Sequence, residues 1–76
     1  MATFNQVVGK EIRSARMAKK MSQQELADRI GIKRSAYSQY ETGKNTMSLE
    51  TWMKIAEVLE LDPNEIPMRA LKISSR

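Results

Sequence analysis

Two glycines twelve residues apart, Gly31 and Gly43, punctuate the segment MSQQELADRIGIKRSAYSQYETG and restrict it to two short helices. Ser22 is placed to cap the first helix, and Glu25, three residues on, can reach back to it. Leu26, Ala27 and Ile30 then give this helix, expected from Gln23 to about Ile30, one apolar side. The second helix, expected from about Arg34 to Glu41, is divided more sharply. At about 100° per residue, Ala36, Tyr37 and Tyr40 fall on one side and Arg34, Ser35, Ser38 and Gln39 on the other. The first side can be buried. The second is a row of hydrogen-bond donors with no carboxylate before Glu41, which suits an acceptor-rich, negatively charged partner. A merely solvated helix face would carry the same residues, and the segment alone does not separate the two readings.

The flanking sequence supplies the rest of an all-α domain. Phe4, Val8, Ile12 and Ala15 predict a helix from about Asn5 to Lys19 with one apolar stripe. Ser48 can cap a fourth helix, in which Leu49, Trp52, Ile55, Ala56 and Leu59 form the strongest helical period in the chain. DPNE repeats the start pattern, with Asp62 as cap and Pro63 at the first helical position, and predicts a short fifth helix ended by Pro67. There is no β alternation, internal repeat or low-complexity segment. Seventy-six residues make one compact five-helix domain, expected over residues 1–67. The tail 68–76, MRALKISSR, is apolar enough at Met68, Leu71 and Ile73 to contribute to a dimer interface.

Composition narrows the chemistry. The chain has neither cysteine nor histidine, which removes disulfides, the usual zinc ligands, the commonest general base and the cysteine nucleophile together. Neither an enzyme nor a metal or other cofactor is expected. No apolar run approaches the roughly 18 residues of a membrane span, and MATFNQVVGKEIR lacks a basic start followed by an apolar core, so a cytoplasmic protein without a membrane partner is expected. The net charge of +4 is segregated: residues 1–47 carry nine Lys/Arg against four Asp/Glu, whereas residues 48–65 carry Lys54 against five acids. A basic first half holding the divided helix fits a protein with one surface turned to phosphate.

Two short helices joined through Gly31 inside a small helical domain are the arrangement of helix-turn-helix proteins. The run MSQQELADRIGIKRSAYSQYETGKNTMSLETWMKIAEVLELDPNEI resembles the lambdoid phage repressor and Cro type of this motif, the Xre family, with the helix-turn-helix at about residues 23–42. The resemblance rests on Gln23, Leu26 and Ala27, then Gly31, then the S.YE.G run ending at Gly43, then SLETW.KIA..L, in that order. It implies a lambda-repressor-like fold and a role for each matching position. Gln23 would bind a backbone phosphate from the start of the second helix; Lys33, Arg34, Ser35, Ser38 and Gln39 would read bases; Lys44 and Asn45 would clamp a second phosphate. Arg16 and Glu41 would form a structural ion pair between the first and third helices. Tyr37, Tyr40 and Trp52 need no ligand to explain them and are expected in the core. Lys33 stands where a capping Ser, Thr, Asn or Asp is usual, so phosphate rather than its own side chain is expected to stabilise that helix end.

The function so implied is sequence-specific binding of double-stranded DNA by a homodimer on an inverted-repeat operator, with the third helix in the major groove, acting as a transcriptional regulator and more specifically a repressor. The alternative is an antitoxin-like module that holds a protein partner, a toxin or co-regulator, and binds DNA for autoregulation.

Overall fold

The computed structural model describes residues 3–62, which form four helices: α1, Phe4–Ala18; α2, Gln23–Ile30; α3, Arg34–Thr42; and α4, Leu49–Leu59. No strand occurs among the described residues. The expected fifth helix at 63–67 and the tail 68–76 lie outside them.

Each helix boundary has a local cause. Thr3 and Gln6 form a reciprocal capping box at the start of α1, with Gln6 N donating to Thr3 Oγ1 at 3.1 Å and Thr3 N donating to Gln6 Oε1 at 3.0 Å. The T-x-x-Q spacing that encodes it is visible in the sequence and places the helix start one residue before the expected Asn5. Ser22 and Ser48 cap α2 and α4 by accepting from Glu25 N and Thr51 N at 3.0 and 3.1 Å. Glu25 does not complete a second box; its carboxylate lies 3.5 Å from Arg29 instead. Gly31 and Gly43 end α2 and α3 at φ of 78° and 77°, a left-handed conformation that side chains with a Cβ resist. Lys33 caps α3 with no side-chain hydrogen bond.

Ile12, Leu26, Ala27, Tyr37, Trp52, Ile55, Ala56 and Leu59 form the centre of the core, with Val7, Val8, Met21 and Ile30 around them. Tyr37 is the largest side chain fully removed from solvent. Tyr40 is only half-buried, and Leu49, expected on the inner stripe of α4, is 73% exposed. Leu49 lies about 70° from the centre of the face defined by Trp52, Ile55, Ala56 and Leu59, and it occupies the first position of its helix, where no preceding turn covers it.

The α1–α3 crossing is made by backbone. Gly9 of α1 rests on the last turn of α3 so tightly that a Cβ there would lie 2.4 Å from the Glu41 carbonyl oxygen and 2.5 Å from that of Tyr40. Only glycine permits this approach, and it seats α3 on α1 without an intervening side chain.

Candidate nucleic-acid interface

Beneath the α2–α3 unit is a buried polar cluster. Arg16 of α1 reaches Glu41 of α3 through Nε to Oε2 at 2.6 Å and Nη2 to Oε1 at 3.2 Å, and its Nη1 donates to the Met21 carbonyl at 2.7 Å. Both side chains are nearly enclosed, at 11% and 4% exposure. The Tyr37 hydroxyl, one helical turn before Glu41, donates to Glu41 Oε2. Gln23 Nε2 donates to Glu41 Oε1 at 3.0 Å. Burial by itself would raise the Glu41 carboxyl, but the hydrogen bonds from Arg16, Tyr37 and Gln23 outweigh it and hold the group below its ordinary range. The same contacts act in reverse on the donors: the bond to Glu41 raises Arg16, and burial followed by that bond pushes the Tyr37 hydroxyl up. No side-chain nitrogen or oxygen buried among the described residues lacks a partner.

The expected Arg16–Glu41 pair is thus present as a four-donor network, and two of its members escaped the sequence reading. Tyr37 reads as core, which its burial bears out, yet its hydroxyl has a specific acceptor; the i, i+4 spacing to Glu41 was the available signal. The link from Gln23 depends on how α2 and α3 cross and has no local signal.

The outward residues sit above this cluster. Gln23 is half-buried, and its Oε1 accepts from Arg34 Nη1 at 3.4 Å, joining the first residues of α2 and α3. Lys33, Arg34, Ser35 and Gln39 are exposed and Ser38 is half-buried, all clear of the core. Gln39 Oε1 accepts from Asn45 Nδ2, so the loop after α3 is tied to the helix's outer edge. Lys44 is exposed beside it, its backbone N–H bonded to the Gln39 carbonyl at 3.0 Å. Asn5 Nδ2 donates to Thr46 Oγ1 at 3.0 Å and anchors the far end of that loop to α1. Glu41, the single acid of α3, is turned inward and neutralised by Arg16, which leaves the outer side of the helix with donors and cations.

This is a helix-turn-helix unit, and comparison with known proteins gives the same class. Residues 12–66 match the helix-turn-helix family. In sequence the chain is similar to the SPbeta prophage-derived HTH-type transcriptional regulator YonR of Bacillus subtilis, at 39% identity over 51 residues, 67% of this chain and 47% of the relative. It is also similar to the cryptic phage CTXphi transcriptional repressor RstR of Vibrio cholerae, at 32% identity over 59 residues, 78% of this chain and 53% of the relative. The match therefore spans about half the length of these relatives. Among solved structures, the restriction-modification controller protein C.AhdI from Aeromonas hydrophila superposes with a TM-score of 0.77 at 34% identity, covering 82% of this chain and 94% of that one. The clp gene regulator ClgR from Corynebacterium glutamicum gives 0.84 at 20% identity over 96% and 95%, a likeness of fold. The chain belongs to the helix-turn-helix family of Xre type, a family of DNA-binding transcriptional regulators.

Proposed function

We propose that this protein is a sequence-specific double-stranded DNA-binding repressor that sets α3 in the major groove, with the helix-turn-helix at about residues 23–42. The observation that carries the reading is the outer side of α3, where Arg34, Ser35 and Gln39 are exposed while the helix's only carboxylate is turned inward to Arg16. An α-helix fits the major groove, where a guanidinium can donate two hydrogen bonds to guanine. Lys33, Ser35, Ser38 and Gln39 supply further donors along the same side. Gln39 would read adenine with both ends of its amide, its Oε1 keeping a second lone pair beside the Asn45 contact.

Gln23 at the start of α2, and Lys44 and Asn45 after α3, take the phosphate roles on either side of the reading helix. Lys33 supports the same picture: the first amides of α3 have no side-chain cap and favour an anion. Repression is favoured by the likeness to RstR, named as a phage repressor. A DNA partner goes with a cytoplasmic location, and no helix among the described residues is long and apolar enough to cross a membrane.

One domain of this size covers little DNA, so two copies on half-sites about 34 Å apart are required for useful affinity. The outer face of α4 supports a homodimer, since Leu49, Met53 and Leu61 line a shallow apolar groove with Glu50, Lys54 and Glu57 at its edges. Selection of duplexes from a randomised library at near-physiological salt tests the whole reading. An inverted repeat is the expected product. Retention without a consensus would reduce the function to electrostatic binding and turn it toward a partner-holding module.

A further inference from the structure

We infer that Glu41, although buried, is a positioning residue for DNA recognition that fixes the Gln23 amide and, through it, the Arg34 guanidinium. The inference rests on the DNA-reading function proposed above and adds to it a specificity-determining residue that never touches DNA.

The argument begins with the two chemically different ends of the Gln23 amide. Its Nε2 lies 3.0 Å from Glu41 Oε1 and its Oε1 lies 3.4 Å from Arg34 Nη1. An ionised carboxylate only accepts and a guanidinium only donates, so one amide orientation satisfies both neighbours. The flipped amide would set oxygen against oxygen and nitrogen against nitrogen. The second Nε2 proton is left for a phosphate oxygen.

Glu41 is in turn held by Arg16 Nε and Nη2 and by the Tyr37 hydroxyl, and its backbone is seated against Gly9. A fixed carboxylate in the last turn of α3 therefore orients the first residue of α2, which orients the first residue of α3. Arg34 is exposed and long, and an untethered side chain of that kind loses rotamer freedom when it docks on a base. The Gln23 contact lowers that cost and biases which base edge the guanidinium meets.

Glu41→Gln tests the link because Oε2 holds the closer donors, Arg16 Nε at 2.6 Å and the Tyr37 hydroxyl, against Arg16 Nη2 and Gln23 Nε2 on Oε1 at 3.2 and 3.0 Å, so the new side chain's one oxygen is drawn to the Oε2 position. Its NH2 is then left facing the Gln23 NH2, which drives the Gln23 amide to flip and turns nitrogen toward Arg34. The measurement is the ratio of affinities for the selected operator and for three duplexes changed at the base pair whose preference Arg34→Ala relaxes. That ratio is independent of the folded fraction, so a loss of stability alone leaves it unchanged, and a displaced α3 would show as an additional loss in the double variant.

Glu41→Gln and Gln23→Met are each expected to lower the ratio by roughly five- to tenfold, part of the discrimination a guanidinium–base pair supplies. Combined, they should lower it no further than Gln23→Met alone. A wild-type ratio in Glu41→Gln, or an additional loss in the double variant, overturns the inference. Should Glu41→Gln not fold, Gln23→Glu reads the same link, since it keeps an acceptor for Arg34 but meets Glu41 as a like charge. Its expected result is a lowered ratio, and a wild-type ratio overturns the inference. Failure of the proposed function is distinct: the unmodified protein would then show no base preference, before any variant is compared.

Discussion

The Tyr37 hydroxyl, reaching out from the centre of the core, donates to Oε2 of Glu41 one helical turn further along α3. The ring is packed among apolar side chains while its one polar atom completes the shell around a charge. α3 is thereby held to the core by an aromatic side chain and to α1 by an ion pair, through adjacent positions on one face.

Tyr37→Phe separates the two functions of that side chain. The ring remains and the donor is lost, so stability should fall by about 1.5–3 kcal/mol, the range for a hydrogen bond to a charged group. Urea unfolding with an unchanged slope checks this; a loss within 0.5 kcal/mol, about the scale of a neutral surface change, would mean that the hydroxyl contributes nothing.

Glu41 makes stability depend on acid. Its carboxyl is depressed in the folded protein below the ordinary value of 4.5, so the unfolded chain takes up a proton first as the pH falls. The contribution is fully present above the ordinary carboxylate range and is lost as the pH drops through the lowered folded value. Melting temperature followed from neutral pH downward should fall in this window, and Glu41→Gln, less stable at neutral pH, should fall less steeply. Parallel curves for the two proteins would refute the assignment.

Gly9→Ala introduces a methyl group that meets two carbonyl oxygens far inside contact distance. Overpacking of this kind costs about 1–3 kcal/mol, and here the obstacle is main chain, which cannot rotate away. Denaturation should show a loss in the upper part of that range, with DNA affinity reduced because α3 is displaced. An alanine variant as stable as the parent would mean that the crossing is wider than described.

Arg34→Ala and Lys44→Ala should differ in kind. The first is expected to weaken operator binding by roughly 1–3 kcal/mol and relax preference at one base pair, the second to weaken all duplexes alike and reduce the salt dependence by about one ion. Titrations of operator and random duplex at several salt concentrations distinguish them. Equal losses on both duplexes for Arg34→Ala would remove it from base reading.

Where local chemistry decides, the chain was legible before its structure. Ser22 and Gly31 bound α2 at the expected residues, and α3 runs one residue past the expected Glu41 to Thr42 before Gly43 ends it. The inward and outward sides of α3 follow from its 3.6-residue period. Leu49 shares the helical spacing of α4 but is 73% exposed, because it lies toward the edge of the buried face and at the first position of the helix. Neither the Gly9 crossing nor the Gln23–Glu41 bond has a local signature, since each joins residues far apart in the chain through the angle between helices. Arg16 and Glu41 could be paired in advance only through resemblance, as cation and carboxylate lie twenty-five positions apart.

The main-chain seat between Gly9 and the end of α3 is indifferent to what the outer side of that helix carries. Lys33, Ser35, Ser38 and Gln39 are not among the atoms nearest that seat, which belong to the main chain of Tyr40 and Glu41. If these four positions read bases as proposed, the domain is a mount with an interchangeable lettering: engineered forms would acquire new operators there while inheriting the same support. Arg34 is the less freely exchangeable neighbour, since its tether runs down to the mount itself.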